Sequence, residues 1–326
     1  MKEEWESDFA ARAAAYWTKE RTQKLVAGKK LPLMPGEAGT LLRALGLVNR
    51  DASMSADAVR KYMQINHMVA LLEPAMLDLT KAFPTVRVLD AGCGSSYLTY
   101  LLAWCFIHRW KHPAQILGVD RNDKVIQKCR ERMGMVGLDA VLRFESGPIA
   151  ELDFAATWAH AFGGEADASL RPHALVALHA CDTATDDALA LALRLRADFV
   201  AAAPCCQAEL ARKWSELAAE HKHGPFAPVW NAAHLRRDLG ASMTDTMRTL
   251  LLRGCGYEVT PMEFVPSTHT PKNTLLRATR RGNYLRTALV EYVALRSATG
   301  GAGIALEACL PEEQRARLAQ VESSPL

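Results

Sequence analysis

The sequence predicts an α/β fold: a doubly wound, mostly parallel sheet completed by a terminal antiparallel strand and preceded by an N-terminal helical segment. Three observations carry this prediction. Short apolar, β-branched runs alternate with helix-length stretches between residues 86 and 203, which is the rhythm of βαβ units covered on both faces. The loop Asp90-Ala91-Gly92-Cys93-Gly94-Ser95-Ser96 follows the first of those runs and precedes an apolar helix. Glycines in such a loop let a ligand approach the backbone. The next strand ends on Asp120, at about the spacing where an acid grips ribose hydroxyls.

The elements follow in order. Phe9 to Lys24 is alanine-rich and amphipathic, and the run Lys29 to Gly36, with prolines at 32 and 35, breaks it. A helix opens at Ser55, a good N-cap, and runs to about Leu72. Strands are expected at 86–90, 115–119, 140–145, 174–178 and 198–203, with helices at about 97–110, 122–135 and 184–195. Ser95 or Ser96 is placed to cap the first of these helices, and Thr185 or Asp186 the last. A helix at 241–253 then leads to strands near 256–259 and 273–278, and the tail from Tyr284 is helical with a glycine break at 300–303. The expected domains are a helical segment at 1–75, a core at 76–283 with an insertion at about 208–240, and a helical tail at 284–326.

Composition narrows the class. At 326 residues the chain exceeds the usual single-domain size, so a core with appendages is expected. No apolar run approaches the roughly 20 residues of a membrane span. The first eight residues are acidic and lack an apolar stretch, so no secretory signal is read there. The 8 cysteines include the adjacent Cys205-Cys206 but no Cys-x-x-Cys pair, which argues against a disulfide framework and favours a reducing cytoplasm. A formal charge of +3 neither demands nor excludes a nucleic-acid partner.

A nicotinamide enzyme would place Gly-x-Gly-x-x-Gly after the first strand, with pyrophosphate on the helix N-terminus. Here an acid opens the loop, repelling pyrophosphate but suiting the ammonium of an amino acid. The pattern resembles the first motif of S-adenosylmethionine-dependent methyltransferases of the Rossmann-like class. That resemblance assigns Asp90, Gly92 and Gly94 to the methionine part of the cofactor and Asp120 to its ribose, with Cys93 and Arg121 also expected among the cofactor-binding residues. Ser96 stands where many relatives carry a third glycine. Ser146, Gly147 and Ile149, after the third strand, are expected beside the adenine.

Ligands of doubly wound sheets sit beyond the carboxyl ends of the strands. The fourth strand is followed by His179-Ala180-Cys181-Asp182 and Thr185-Asp186, the fifth by Pro204-Cys205-Cys206-Gln207. These segments, with Gln64-Ile65-Asn66 and Thr270-Pro271-Lys272-Asn273-Thr274, resemble a distinct methyltransferase branch over roughly residues 60 to 280. That branch includes the methyltransferase portion of the glutathione S-transferase C-terminal-domain-containing protein, methyltransferase-like proteins and an acceptor-stem tRNA ribose methyltransferase. It implies that Gln64, Asn66 and His179 also line the cofactor site. Asp182 stands where the branch commonly has glycine, and the tRNA enzyme's accessory zinc-binding segments are not visible.

The groups expected nearest the chemistry are His179, Cys181, Cys205 and Cys206. His179 reads as a pocket group, hydrogen-bonding the amino-acid moiety or acting as a base, or as an anchor of the strand end. Cys205-Cys206 reads as a small pair shaping the crevice, with a covalent nucleophile as the alternative. Zinc on these four residues is chemically conceivable, but the tight spacing is read as two neighbouring strand ends and no metal is assigned. The expected acceptor is RNA (tRNA or rRNA). Its supports are Arg212, Lys213, His221, Lys222, His223, Arg236 and Arg237 in the insertion, and Lys272, Arg277, Arg280, Arg281 and Arg286 beyond it. Trp214, Trp230 and Tyr284 stand nearby to stack bases. A protein side chain, or cofactor binding without catalysis, is the alternative.

Overall fold

The computed structural model describes residues 2–178, 180, 183–204, 207–264 and 273–323, with side chains from residue 8 onward. Two compact units emerge: residues 1–147 with 153–170, and residues 148–152 with 171–326. Unit one contains α1 (Lys2–Tyr16), α2 (Lys19–Val26), α3 (Gly39–Ala44), α4 (Ala56–Ala82), β1 (Val86–Ala91), α5 (Tyr97–Trp104), β2 (Ala114–Asp120), α6 (Asp123–Met135), β3 (Leu142–Ser146) and α7 (Phe154–Phe162). Unit two contains β4 (Ala174–Ala177), α8 (Thr183–Arg194), β5 (Phe199–Ala202), α9 (Glu209–Ala219), α10 (Ala227–Trp230), α11 (Ala233–Gly254), β6 (Tyr257–Glu263), β7 (Thr274–Arg280), α12 (Arg286–Ala298), α13 (Ala305–Cys309) and α14 (Glu312–Ser323).

In unit one the strands run parallel in the order β3-β2-β1, with Asp90 opposite Gly118 and Asp120 opposite Ser146. In unit two the order is β4-β5-β7-β6, parallel at β4–β5 and antiparallel at β5–β7 and β6–β7. These are the strand arrangements of a Rossmann-like methyltransferase sheet, flanked by helices and with the antiparallel strand last. β1, β4 and β5 are apolar and buried along almost their whole length, as strands covered on both faces must be.

Several local expectations change. The helix expected over 9–24 breaks at Trp17, because Thr18 caps a new helix by accepting from the Arg21 N–H at 3.3 Å. Ser55 caps α4 as expected, accepting from the Ala58 N–H, but α4 continues through Pro74 to Ala82. Ser96 precedes α5 in the left-handed region, φ 59°, and makes no side-chain cap bond. Its hydroxyl instead donates to the Gly94 carbonyl at 3.3 Å. After Trp104 the helix widens into a π-helical turn, Cys105–Arg109. Much of the insertion is helical, and the helix expected from 241 begins at Ala233. α7 has no counterpart among the expected helices. Among the described residues no helix is long and apolar enough to cross a membrane.

The N-terminal segment is tied down by side chains of α4. Asn66, fully buried, accepts from the Leu33 N–H at 2.9 Å and donates to the Tyr62 carbonyl at 3.1 Å. The Tyr62 hydroxyl donates to the Leu33 carbonyl at 2.5 Å. Leu33 is thereby held by both backbone groups, and its side chain is fully buried.

Candidate active site

The glycine loop of unit one is shaped by backbone geometry that L side chains resist. Gly92 and Gly94 have φ of 73° and 52°, values glycine adopts without steric cost. The Gly92 and Cys93 N–H groups both donate to the Val119 carbonyl, at 2.8 and 3.0 Å, pinning the loop to the end of β2. Under it, Gly118 leaves no room for a side chain, since a Cβ would lie 2.6 Å from the Phe144 ring and 3.2 Å from the Cys93 sulfur.

Asp120 links two loops. Its Oδ2 accepts from the Gly94 N–H and its Oδ1 from the Asn122 N–H, each at 2.9 Å. A carboxylate offers about four acceptor positions, so roughly two remain, the number a ribose diol needs. The Asp120 carbonyl also accepts from the Gly147 N–H at 3.1 Å, tying in the turn after β3. There Ser146 bonds Asp123, and a Cβ on Gly147 would meet open space. Hydrogen bonds in unit one thus bring the loops carrying Gly92, Cys93, Gly94, Asp120, Ser146 and Gly147 together at the carboxyl ends of β1, β2 and β3.

Other assigned residues sit differently. Asp90 is buried, and its carboxylate accepts from the Thr99 hydroxyl. Burial, opposed by that bond and reinforced by the charge of Asp120, pushes its pKa up to about 7. Asp90 therefore braces the loop against α5. Gln64 and Arg121 are exposed, while Asn66 is engaged with Leu33 and Tyr62. Ile149, half-buried, opens a short 3-10 turn in unit two. His179, Cys181, Cys205 and Cys206 all lie outside the described residues. Two partners escaped the sequence reading. The Cys129 thiol of α6 is 3.5 Å from the Gly94 carbonyl and 3.4 Å from the Ser96 hydroxyl, and the Tyr100 hydroxyl donates to the Cys129 carbonyl at 2.6 Å.

Unit two holds a buried ionic network at the same end of its strands. Arg248 on α11, fully buried, grips Asp186 through Nε (2.9 Å) and Nη2 (2.7 Å), and its Nη1 reaches Asp245 at 3.1 Å. Asp245 also accepts from the Gln207 amide at 2.9 Å, and burial, against the pull of Arg248, raises its pKa. Asp186 is therefore not a helix cap, while the Thr185 hydroxyl donates to the Ala180 carbonyl at 2.8 Å. Arg248 ties the start of α8 to the segment leaving β5. The only hint in the sequence is the i, i+3 pair Asp245…Arg248, which alone reads as an ordinary surface pair.

The basic residues divide. Arg280 pairs with Asp198 at 2.8 Å, Arg281 with Glu258 at 2.7 Å and Lys213 with Glu209 at 2.7 Å, so these charges are answered internally. Lys272 lies outside the described residues. Arg212, Arg236 and Arg237 instead line one cavity of about 840 Å³ between α9 and α11. The stacking expectation for Trp214 and Trp230 fails, because both rings are fully buried, and the Trp214 N–H donates to the Thr299 carbonyl at 3.2 Å. Tyr284 is half-covered, with the Arg317 guanidinium 4.5 Å above its ring.

Residues 60–213 match a family model described as a methyltransferase domain. No curated protein matches the chain. Among solved structures, cofactor-bound Rv0187 from MTB shares 16% identity, covering 76% of this chain and 92% of its own, TM-score 0.41. The SAH-bound methyltransferase PaMTH1 of Podospora anserina shares 13%, covering 84% and 96%, TM-score 0.41. Human methyltransferase 10 domain containing protein shares 11%, covering 67% and 81%, TM-score 0.36. The family match begins within α4 and contains the glycine loop, Asp120 and the turn after β3. The match of residues 60–213 to a methyltransferase domain supports S-adenosylmethionine as the cofactor.

Proposed function

We propose that the chain methylates RNA, tRNA or rRNA, using S-adenosylmethionine as donor. The sulfonium donor supplies an already activated methyl group, so the protein's share is binding and alignment. Asp120 holds the ribose with its remaining acceptor positions, and the left-handed glycines bring the Gly92–Gly94 backbone against the amino-acid end. Asp90 keeps that loop seated on α5 through Thr99. The observation that carries the RNA reading is the gathering of Arg212, Arg236 and Arg237 around one cavity, where none has a carboxylate partner among the described residues. Guanidinium groups left unneutralised suit phosphates, which they meet with paired donors.

The same reading loses weight at Arg280 and Arg281, which are already paired, and at the two buried tryptophans. A protein side chain therefore stays the second reading. Incubating the protein with isotopically labelled donor and separated RNA and protein fractions decides between them. Label in RNA supports the proposal, whereas label in protein alone overturns it.

A further inference from the structure

The cavity of unit two has features that a general affinity for polyanions does not require. It lies at the carboxyl end of β5, because Gln207 follows that strand and Thr274, also in the lining, opens its antiparallel neighbour β7. Its volume of about 840 Å³ is that of a small-molecule pocket rather than a shallow patch. Its walls stand close because Gly240 of α11 packs directly on Ala211 of α9, where a Cβ would lie 3.2 Å from the Ala211 backbone.

Charge in this cavity is arranged against the host helix. α11 opens at Ala233 without a side-chain cap and with no acid in its first turn. The positive end of a helix dipole favours an anion there, yet Arg236 and Arg237 stand near that end and Arg212 faces them from α9. Arg236 bonds the Trp230 carbonyl, which orients it without neutralising it. Of the two carboxylates in the lining, Asp245 is committed to Arg248 and Gln207, leaving Asp238 against three guanidinium groups. Arg212 and Arg237 are exposed, so this excess of positive charge is open to an anion arriving from solution.

A second, independent feature points to the rest of the ligand. Gln207 lines the cavity and is only 4% exposed, and its carbonyl oxygen has no hydrogen-bond partner among the described residues. The amide orientation is fixed, because Nε2 donates both to the Pro204 carbonyl at 3.2 Å and to Asp245 at 2.9 Å. Flipping the group would set oxygen against two acceptors. The orphaned oxygen therefore has room for a hydrogen-bond donor, and a base N–H is one that could fill it.

We propose that this cavity binds a single phosphorylated nucleotide of the acceptor, with its phosphate among Arg212, Arg236 and Arg237 and a base N–H bonded to the Gln207 carbonyl oxygen. The proposal rests on the RNA reading and narrows it from a basic surface to a pocket that isolates one nucleotide.

The test is calorimetric titration of the full chain, first saturated with S-adenosylhomocysteine so that adenosine cannot enter the donor crevice. The titrants are the four nucleoside 5′-monophosphates, the uncharged nucleosides and inorganic phosphate. A monophosphate should bind more tightly than its nucleoside and than phosphate alone. Arg212→Gln and Arg237→Gln should each weaken the monophosphate by about tenfold, in line with a lost charge-assisted bond. Gln207→Leu should weaken the monophosphate but leave phosphate binding unchanged, which a merely disordered pocket would not do. Unchanged melting temperature and S-adenosylhomocysteine affinity show that the variants fold. Binding that is absent at millimolar monophosphate, or equal in wild type and both arginine variants, overturns the proposal. If RNA still carries the label in that case, the RNA reading stands and only the pocket falls. If monophosphates bind through the arginines while label enters protein alone, the RNA reading falls and with it the cavity's role as acceptor site.

Discussion

The donor crevice of unit one and the cavity of unit two are built by different means. In unit one, consecutive strand ends supply nearly everything: glycines at positive φ, an acid ending β2 and backbone N–H groups that bond across loops. In unit two, the lining comes from α9, α11 and the start of β7, and its polar floor is a buried ionic network. A site made from backbone geometry has few ways to vary. A site made from side chains on distant helices can change its ligand while the scaffold stays. On the proposed reading, the unit-one loops would set the cofactor and the unit-two cavity would set what is methylated.

The largest effect should come from the floor of unit two. Arg248→Ala leaves two buried carboxylates without their cation and should cost about 3–5 kcal/mol in chemical denaturation. A loss below about 1 kcal/mol would mean that the network is not what holds α11 to α8. The next effect belongs to unit one and depends on pH. The Asp90 carboxyl moves from its ordinary 3.8 to about 7 on burial, so the folded state keeps a proton that the unfolded chain has lost. The stability it contributes is full below the unfolded value and drains away as pH rises through about 7, by about 1.4 kcal/mol per pH unit at the steepest. Asp90→Asn should flatten that slope in denaturation curves taken from pH 4.5 to 8, and an unaltered slope would remove Asp90 as its source. Gly118→Ala should cost about 1–3 kcal/mol by overpacking against the buried Phe144 ring, read as a lower melting temperature. The smallest effect separates free from paired arginines. Arg237→Gln should lower the salt dependence of RNA binding by about one phosphate contact, whereas Arg281→Gln, paired with Glu258, should barely change it. Equal responses would dissolve the distinction between the cavity and the outer basic face.

The sequence made unit one legible because its signals are local. Asp90, Gly92, Gly94 and Asp120 announce a strand, a tight turn and a strand end within a short stretch, and the structure brings them together. Asn66 shows the limit of the same reasoning. The branch resemblance implies a pocket residue, and the contacts it makes are to Leu33 and Tyr62. In unit two the decisive facts are pairings across long separations. Nothing in the sequence says that Arg280 will meet Asp198, that Arg248 will be buried between Asp186 and Asp245, or that Trp214 and Trp230 will face the interior. Charge counts along a chain cannot tell a cation that waits for a ligand from one already answered by a carboxylate.

The central claim is that the crevice closed by Asp120 holds the methyl donor. It is tested most directly by calorimetric titration of S-adenosylmethionine into wild type, Asp120→Asn and Asp120→Ala. Removing the carboxylate should weaken binding by on the order of 1.5–3 kcal/mol, with the asparagine variant in between because it keeps one acceptor for the Gly94 N–H. Equal affinity in all three proteins would contradict the account.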